Sequence, residues 1–185
     1  AGGCSYGAQP GDSTYNVAGK EDHPINKVTH MEAVAYCDWV NKRLPSEAEW
    51  EKAARGVEGD KYPWGNASKS CDLAVIDGCD GDTMPVGSIS GGASIYGAMD
   101  MSGNVMEWVQ DWAGDNYFSQ TPTDGWFNPE GPESNVDNRK ITKGGAYAKP
   151  DSGNSYSHRA AWRGVKAVDD RSPLTGFRCA VSLSL

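Results

Sequence analysis

Two short segments in the first third of the chain have the polar and apolar spacing of helices. In the first, Thr29 precedes residues 30–41 and Glu32 follows three positions later. This is a capping box, in which each of the two side chains accepts a hydrogen bond from a backbone N–H that the helix leaves unpaired. The pattern predicts a helix over residues 30–41.

The second segment repeats the arrangement with Ser46 and Glu49. Gly56 is placed to end this helix, because glycine readily adopts the backbone conformation found just beyond a helix C-terminus. The apolar stripe that would face a core consists of Trp50, Ala53 and Ala54.

Beyond Gly56 the apolar residues occur in short pieces separated by Gly, Pro, Asn and Asp, as in residues 62–66 and 91–94. This pattern predicts brief strands joined by long loops. Residues 113–139 are the least regular and include Trp126 and Phe127. A stretch of this kind is a surface loop or a functional loop. The expected architecture is α+β and irregular, with two short helices, short antiparallel strands and many long loops.

Composition narrows the possibilities. A chain of 185 residues with 38% hydrophobic content suits one domain, and 23 glycines, 10 prolines and 7 tryptophans exclude a helical bundle. Seventeen basic against 25 acidic residues give a net charge of −8, which argues against nucleic acid or anionic lipid as partner. No apolar stretch approaches the roughly 20 residues of a membrane span. The start at Ala1, without methionine, is expected of a processed or excised chain.

The 5 cysteines cannot all pair within one chain. None lies in a C-x-x-C motif and only 3 histidines are present, so a structural zinc site has little support. A bridge between Cys37 and Cys179 would enclose most of the domain and imply an oxidising compartment. Cys71 and Cys79 flank an acidic loop and could pair with each other or, singly, with Cys4. The alternative is a set of free thiols in a cytosolic protein.

Several motifs, in this order, give the chain a family resemblance. They are AVAYCDW at 33–39, KRLPSEAEWE at 42–51, YPWGN at 62–66, PVGS at 85–88, YGAMDMSGNVMEW at 96–108, GG at 144–145 and GFRC at 176–179. The chain resembles the formylglycine-generating enzyme family, also called sulfatase-modifying factor domains, from about residue 23 to residue 179. The resemblance implies an irregular variant of the C-type lectin fold, and a bridge between Cys37 and Cys179 in an extracytoplasmic (periplasmic, cell-surface or secreted) protein.

The family usually has a further N-terminal segment with strands. We therefore expect residues 1–185 to form a single domain that either is a fragment or receives the missing strand from an assembly partner. The indole rings of the motifs are expected in the core, namely Trp39, Trp50, Trp64 and Trp108. The arginines near the end, Arg159, Arg163 and Arg178, are expected to pair with carboxylates such as Glu47, Glu51 or Glu107.

Calcium is the cofactor that the resemblance implies. Residues 100–107 combine carboxylates with backbone carbonyls, which are the oxygen ligands calcium prefers. The family site would use the side chains of Asp100 and Glu107 and main-chain oxygens of Gly103 and Val105. A second site would involve Asp72, Leu73, Asp77 and Cys79. For each, the alternative is a solvated acidic loop.

The enzyme that names the family is similar to a copper oxidase, in which two cysteines after the Gly-Gly pair bind the metal. Residues 144–159 contain no cysteine, and the equivalent positions fall near Lys149 and near Asn154 or Ser155. These side chains cannot replace thiolates as ligands of Cu(I). Relatives that use iron take histidines from an additional helical domain, and no cluster of histidines in this chain substitutes for them.

The resulting hypothesis is a non-catalytic domain that binds an unknown protein or small molecule through loops on a rigid scaffold. Some relatives resemble variable ligand-binding proteins whose variable residues lie in this C-terminal stretch. The alternatives are an oxidoreductase with an altered active site and a structural subunit of a surface assembly. Loops rich in aromatic and small polar residues suit recognition. The candidate contact residues are Trp126, Tyr147, Lys149, Asn154, Tyr156 and His158.

Overall fold

A computed structural model describes residues 13–114, 117–120, 125, 127–134, 136–148 and 156–182. Helix α1 spans His30–Trp39 and helix α2 spans Glu47–Arg55. The strands are β1 (Met106–Trp112), β2 (Arg139–Lys143), β3 (Gly164–Ala167) and β4 (Thr175–Phe177), and short 3₁₀ turns occur at Ser90–Gly92 and Phe118–Gln120. The predicted α+β irregular fold is confirmed.

Both predicted capping boxes are present. Thr29 and Ser46 each accept a hydrogen bond from the backbone N–H three residues later, and Glu32 and Glu49 complete the two boxes. Helix α1 ends at Trp39, two residues earlier than predicted, because Asn41 adopts a positive φ of 57° that no helix continues through.

The strands form one sheet in the order β3-β2-β1-β4. Strand β1 pairs antiparallel with β2 and parallel with β4, and β2 pairs antiparallel with β3. The sheet is therefore mixed, whereas the sequence pattern predicted antiparallel strands only. The pairing of β1 and β2 shifts register between Trp108 and Trp112, which marks an irregularity of the β-bulge type.

Two hydrophobic clusters pack on the sheet. In one, Trp50 and Ala54 of α2 meet Val109 and Ile141 of the sheet, and in the other, Ala33 and Cys37 of α1 meet Trp108. Both Trp50 and Trp108 are fully buried, as predicted.

The prediction that Trp39 lies in the core is wrong, since Trp39 is 63% exposed. Helix α1 buries the face that carries His30, Ala33 and Cys37, and a residue two positions beyond Cys37 projects away from that face. Trp64 is only partly buried and stacks on the ring of Tyr62, with 5.0 Å between ring centroids.

Two disulfides hold the irregular parts of the chain. Cys37 in α1 is bonded to Cys179 beyond β4, as predicted, and Cys71 is bonded to Cys79. The sequence left open whether Cys71 and Cys79 bond with each other or one of them with Cys4, and the second disulfide shows that they bond with each other. Cys4 lies outside the described residues. Within the part of the chain that the structure describes, no helix is both long and apolar enough to cross a membrane.

Candidate functional site

The segment between Asp100 and Glu107 leads into strand β1 and lies against the segment around Val75. Asp100, Gly103 and Asn104 all have positive φ values, so the chain turns sharply there. A side chain at Gly103 would collide with the carbonyl of Val75, and Asn104 donates its backbone N–H to that carbonyl at 2.8 Å. The structure thus brings the two predicted calcium segments into contact.

Glu107 is 5% exposed and is held by two neighbours. Arg178 donates from Nε to Oε2 at 2.5 Å and from Nη2 to Oε1 at 2.6 Å. The indole N–H of Trp50 donates to Oε2 at 2.7 Å. Since a carboxylate oxygen accepts about two hydrogen bonds, Oε2 is saturated and only Oε1 retains capacity for a further ligand.

Asp100 is half-buried, and its Oδ2 accepts the backbone N–H of Gly87 at 2.6 Å. Burial raises the pKa of Asp100, and the negative charge of Glu107 acts in the same direction. The hydrogen bond from Gly87 and the charge of Arg178 oppose this shift. Asp100, Glu107 and Arg178 therefore form one electrostatic unit at the start of β1.

The donors of the first segment are compatible with calcium only in part. The Asp100 carboxylate and one oxygen of Glu107 could contribute, but Arg178 already neutralises Glu107. Among the described residues, no group of three or more His, Cys, Asp or Glu side chains could hold a metal ion. Any calcium here would depend largely on main-chain oxygens, such as those predicted at Gly103 and Val105.

The second predicted set is more dispersed. Asp72 and Asp77 are exposed on the loop closed by the Cys71–Cys79 bridge. The carbonyl of Leu73 packs against Gly92, where a Cβ atom would collide with it. Calcium binding at either segment stays a prediction.

The predicted recognition stretch is only partly visible. Tyr147 is half-buried and donates its backbone N–H to the carbonyl of Asn104 at 2.9 Å. Tyr156 is 56% exposed, and its ring lies 4.2 Å from the guanidinium of Arg159. Trp126, Lys149 and Asn154 lie outside the described residues.

His158 is 2% exposed, and both of its ring nitrogens are engaged. Nε2 lies 2.8 Å from the carbonyl of Ala146 and therefore carries the proton, while Nδ1 lies 3.1 Å from the ammonium group of Lys69. Burial lowers the pKa of His158, so the ring is neutral at pH 7. The ring of His158 is therefore enclosed by the protein and holds the backbone at Ala146 through a hydrogen bond.

Two of the three arginines pair as predicted. Arg178 binds Glu107, and Arg163 donates from Nε to Glu47 at 2.7 Å. Arg159 instead lies over the ring of Tyr156.

Sequence reasoning missed the role of Lys143. It is 0% exposed and lies 2.9 Å from Glu51 and 3.5 Å from Glu47. A lysine directly before the Gly-Gly motif was the available signal, but its burial depends on the packing of helix α2 against strand β2.

Sequence reasoning also missed a groove that lies between helix α1 and the segment around Phe177. It has a volume of about 700 Å³, and four aromatic rings line it together with aliphatic side chains. The rings belong to Tyr15, Tyr36, Trp39 and Phe177. We call this feature the aromatic groove.

All cysteines of the described residues are in disulfides. Only Cys4 is left over, and it lies outside that part of the chain. Among the described residues, no pair of free thiols therefore lies near the Gly-Gly motif.

Comparison with known proteins places these features in a family. Residues 3–183 match the family model described as Sulfatase-modifying factor enzyme 1-like domain. The chain is 36% identical to a formylglycine-generating enzyme of Thermomonospora curvata over 95% of its own length and 61% of that protein. It is also 36% identical to a hercynine oxygenase of Mycolicibacterium smegmatis, over 69% of this chain and 31% of that protein.

A solved structure of similar fold is the Treponema denticola variable protein 1. It superposes with a TM-score of 0.70 at 21% identity and covers 90% of this chain and 75% of its own. The chain spans 61% of the length of the Thermomonospora curvata enzyme that it matches. The match over residues 3–183 and the identity to the Thermomonospora curvata enzyme show that this chain belongs to the sulfatase-modifying factor family, the family of the formylglycine-generating enzymes.

Proposed function

We propose that this chain is a non-catalytic, extracytoplasmic domain that binds a protein or small-molecule ligand on a disulfide- and calcium-stabilised scaffold. The observation that supports this proposal is the lack of free thiols near the Gly-Gly motif among the described residues. Residues 144–159 contain no cysteine, and the four described cysteines are bonded in pairs. A dithiolate site for Cu(I) therefore has no ligands near the Gly-Gly motif.

The two disulfides support an extracytoplasmic location, since such bonds persist in oxidising compartments. Binding is supported by the exposed ring of Tyr156, which Arg159 holds from one side. An aromatic ring fixed at the surface gives contact area at a small loss of side-chain entropy.

The competing function is an oxidoreductase with an altered active site. It is supported by the sequence similarity to a formylglycine-generating enzyme and to a hercynine oxygenase. The binding function and the oxidoreductase function are distinguished by incubating the purified chain with Cu(I), oxygen and a sulfatase-derived cysteine peptide. We expect no aldehyde above a copper-free control, while the Thermomonospora curvata enzyme serves as the positive control. Formation of formylglycine by this chain would contradict the non-catalytic proposal.

The surface around Tyr156 and Arg159, which we call the binding face, is tested with immobilised peptide and glycan libraries. Binders that depend on the face should be lost with Tyr156→Ala and retained with Val57→Ala, a control at a residue 75% exposed elsewhere on the surface. Both variants should keep the stability of the parent within about 0.5 kcal/mol. If every binder is equally sensitive to both substitutions, the proposed face is wrong.

The calcium part of the proposal has its own test. A ligand bound only by the folded state stabilises it by roughly 2.7 kcal/mol at a concentration about 100 times its dissociation constant. The melting temperature should therefore rise with calcium and fall in excess chelator. Asp100→Asn keeps one side-chain oxygen and should weaken the response, whereas Asp38→Asn, at an exposed position on α1, should leave it unchanged. A melting temperature that does not change in excess chelator would contradict the proposal that calcium stabilises the scaffold.

A further inference from the structure

The aromatic groove is built on a face of helix α1 that does not pack on the sheet. Tyr36 and Trp39 lie three positions apart on α1, so their side chains are neighbours, with 5.8 Å between ring centroids. Tyr36 also meets the ring of Phe177 edge to face at 5.5 Å. Phe177 belongs to β4, which lies at the edge of the sheet. The three rings therefore form a continuous aromatic wall between the helix and the sheet edge.

The rings of this groove remain accessible. Tyr15, Tyr36 and Trp39 are 48%, 43% and 63% exposed. Large apolar groups that are exposed side by side in a water-soluble domain indicate a binding surface, because their burial against a partner is favourable. The groove volume of about 700 Å³ falls within the range of small-molecule sites. Its size and its lining therefore suit a small organic ligand.

The charged side chains that line the groove leave a positive charge without compensation. Glu32 is paired with Arg171 at 2.6 Å, and Arg178 is paired with Glu107. Lys42 is exposed, and no carboxylate of the described residues forms an ion pair with its ammonium group. An apolar groove with one uncompensated cation is complementary to an apolar molecule that carries one negative charge.

Arg178 offers a second donor at this groove. Its Nε and Nη2 atoms donate to Glu107, whereas Nη1, on another edge of the planar guanidinium, has no acceptor among the described residues. The segments that carry Arg178 and Lys42 run side by side, because Arg43 and Ala180 exchange two backbone hydrogen bonds at 3.0 and 2.7 Å. Contact with Glu107 holds the guanidinium in place before any ligand arrives.

We propose that the aromatic groove binds a small apolar carboxylate, with its hydrocarbon body against the rings and its carboxylate on Lys42 and Nη1 of Arg178. Removal of the rings from water favours binding, and charge-assisted hydrogen bonds orient the ligand. A cationic ligand would be repelled by Lys42, and a neutral one would leave its charge unpaired. The site is separate from the binding face and does not depend on the function proposed for that face.

The direct test is an NMR titration of the whole chain with cinnamate, an aromatic carboxylate, and with cinnamamide, its uncharged analogue. Cinnamate should shift the indole N–H signal of Trp39 and leave that of Trp64, which does not line the groove, unchanged. Cinnamamide should bind about tenfold more weakly, the effect of one charge-assisted hydrogen bond. Equal affinities for the two probes would contradict recognition of the carboxylate.

Variants of Lys42 separate charge from packing. Lys42→Met should lower the affinity for cinnamate toward that for cinnamamide and leave the affinity for cinnamamide unchanged, whereas Lys42→Arg should keep the preference for cinnamate. Lys52→Met, at an exposed lysine on α2, is the matched control and should behave like the parent. An equal loss of affinity for both probes in Lys42→Met would overturn the proposed ion pair.

Trp39→Ala tests the aromatic wall, with the backbone N–H signal of Phe177 as the readout. This variant should lose the response to cinnamate and keep the melting temperature of the parent, because the ring is largely exposed. Tyr156→Ala should bind cinnamate normally, so failure of the groove and failure of the binding face are distinguishable. A parent that ignores cinnamate and forms a dimer that Trp39→Ala dissociates would show that a second copy fills the groove, and would overturn the proposal.

Discussion

At the scale of single residues, Glu107 illustrates how one side chain serves the fold through several partners. Its carboxylate binds Arg178 with two hydrogen bonds and accepts a third from Trp50. These contacts join strand β1 to the segment after β4 and to helix α2. Because the carboxylate is buried, removal of its charge leaves the guanidinium without its partner, and this loss is larger than the loss of one surface ion pair.

Glu107→Gln should therefore lower the free energy of unfolding by roughly 3 kcal/mol, even in excess chelator. Chemical denaturation measures the change, with Glu58→Gln as an exposed control expected within about 0.5 kcal/mol of the parent. If Glu107→Gln is neutral in chelator and destabilising only with calcium present, the carboxylate acts mainly as a metal ligand.

At the scale of elements, helix α2 is stabilised at both ends and on one face. Ser46 and Glu49 form the N-terminal box, Gly56 follows the last residue with a φ of 65°, and Trp50 and Ala54 enter the core. A helix of 9 residues is too short to be stable alone, so its caps and its packing must act together.

Ser46→Ala should destabilise the protein by about 1 kcal/mol, because the backbone N–H of Glu49 loses its acceptor in a partly buried position. Thr29→Ala should have a similar effect on α1, where Thr29 accepts from the N–H of Glu32. Thermal unfolding compares both with Ser88→Ala, an exposed serine that caps no helix. Equal stability of all three variants would contradict the role of the capping boxes.

At the scale of the whole molecule, the two disulfides act over very different lengths of chain. Cys37 and Cys179 are 142 residues apart, whereas Cys71 and Cys79 are 8 apart. In the chain-entropy account, a bridge that closes a longer loop removes more conformations from the unfolded state.

Replacing Cys37 and Cys179 by alanine should lower the free energy of unfolding by about 5 kcal/mol, against about 2.5 kcal/mol for Cys71 and Cys79. Denaturation of the two double variants and of the parent at one pH measures both losses. A loss for the short bridge equal to or above that for the long bridge would show that local packing, and not loop closure, dominates.

The sequence by itself determined the local parts of this protein. The capping boxes depend on residues three positions apart, so Thr29 with Glu32 and Ser46 with Glu49 were recognisable without any knowledge of the fold. The ordered motifs identified the family, and through it the Cys37–Cys179 bridge. The absence of cysteine from residues 144–159 is equally a property of the sequence alone.

The tertiary structure decided what depends on which segments meet. The exposure of Trp39, the burial of His158 and Lys143, and the pairing of Cys71 with Cys79 follow from packing between parts of the chain that are distant or ambiguous in sequence. The parallel pairing of β1 with β4 and the hydrogen bond from the backbone N–H of Glu47 to the carboxylate of Asp111 belong to the same class. Hydrophobic pattern and residue type specify which side chains favour burial, but the partner that satisfies a buried charge is set by three-dimensional contact, and this contact made Glu107, Lys143 and Asp111 part of the core.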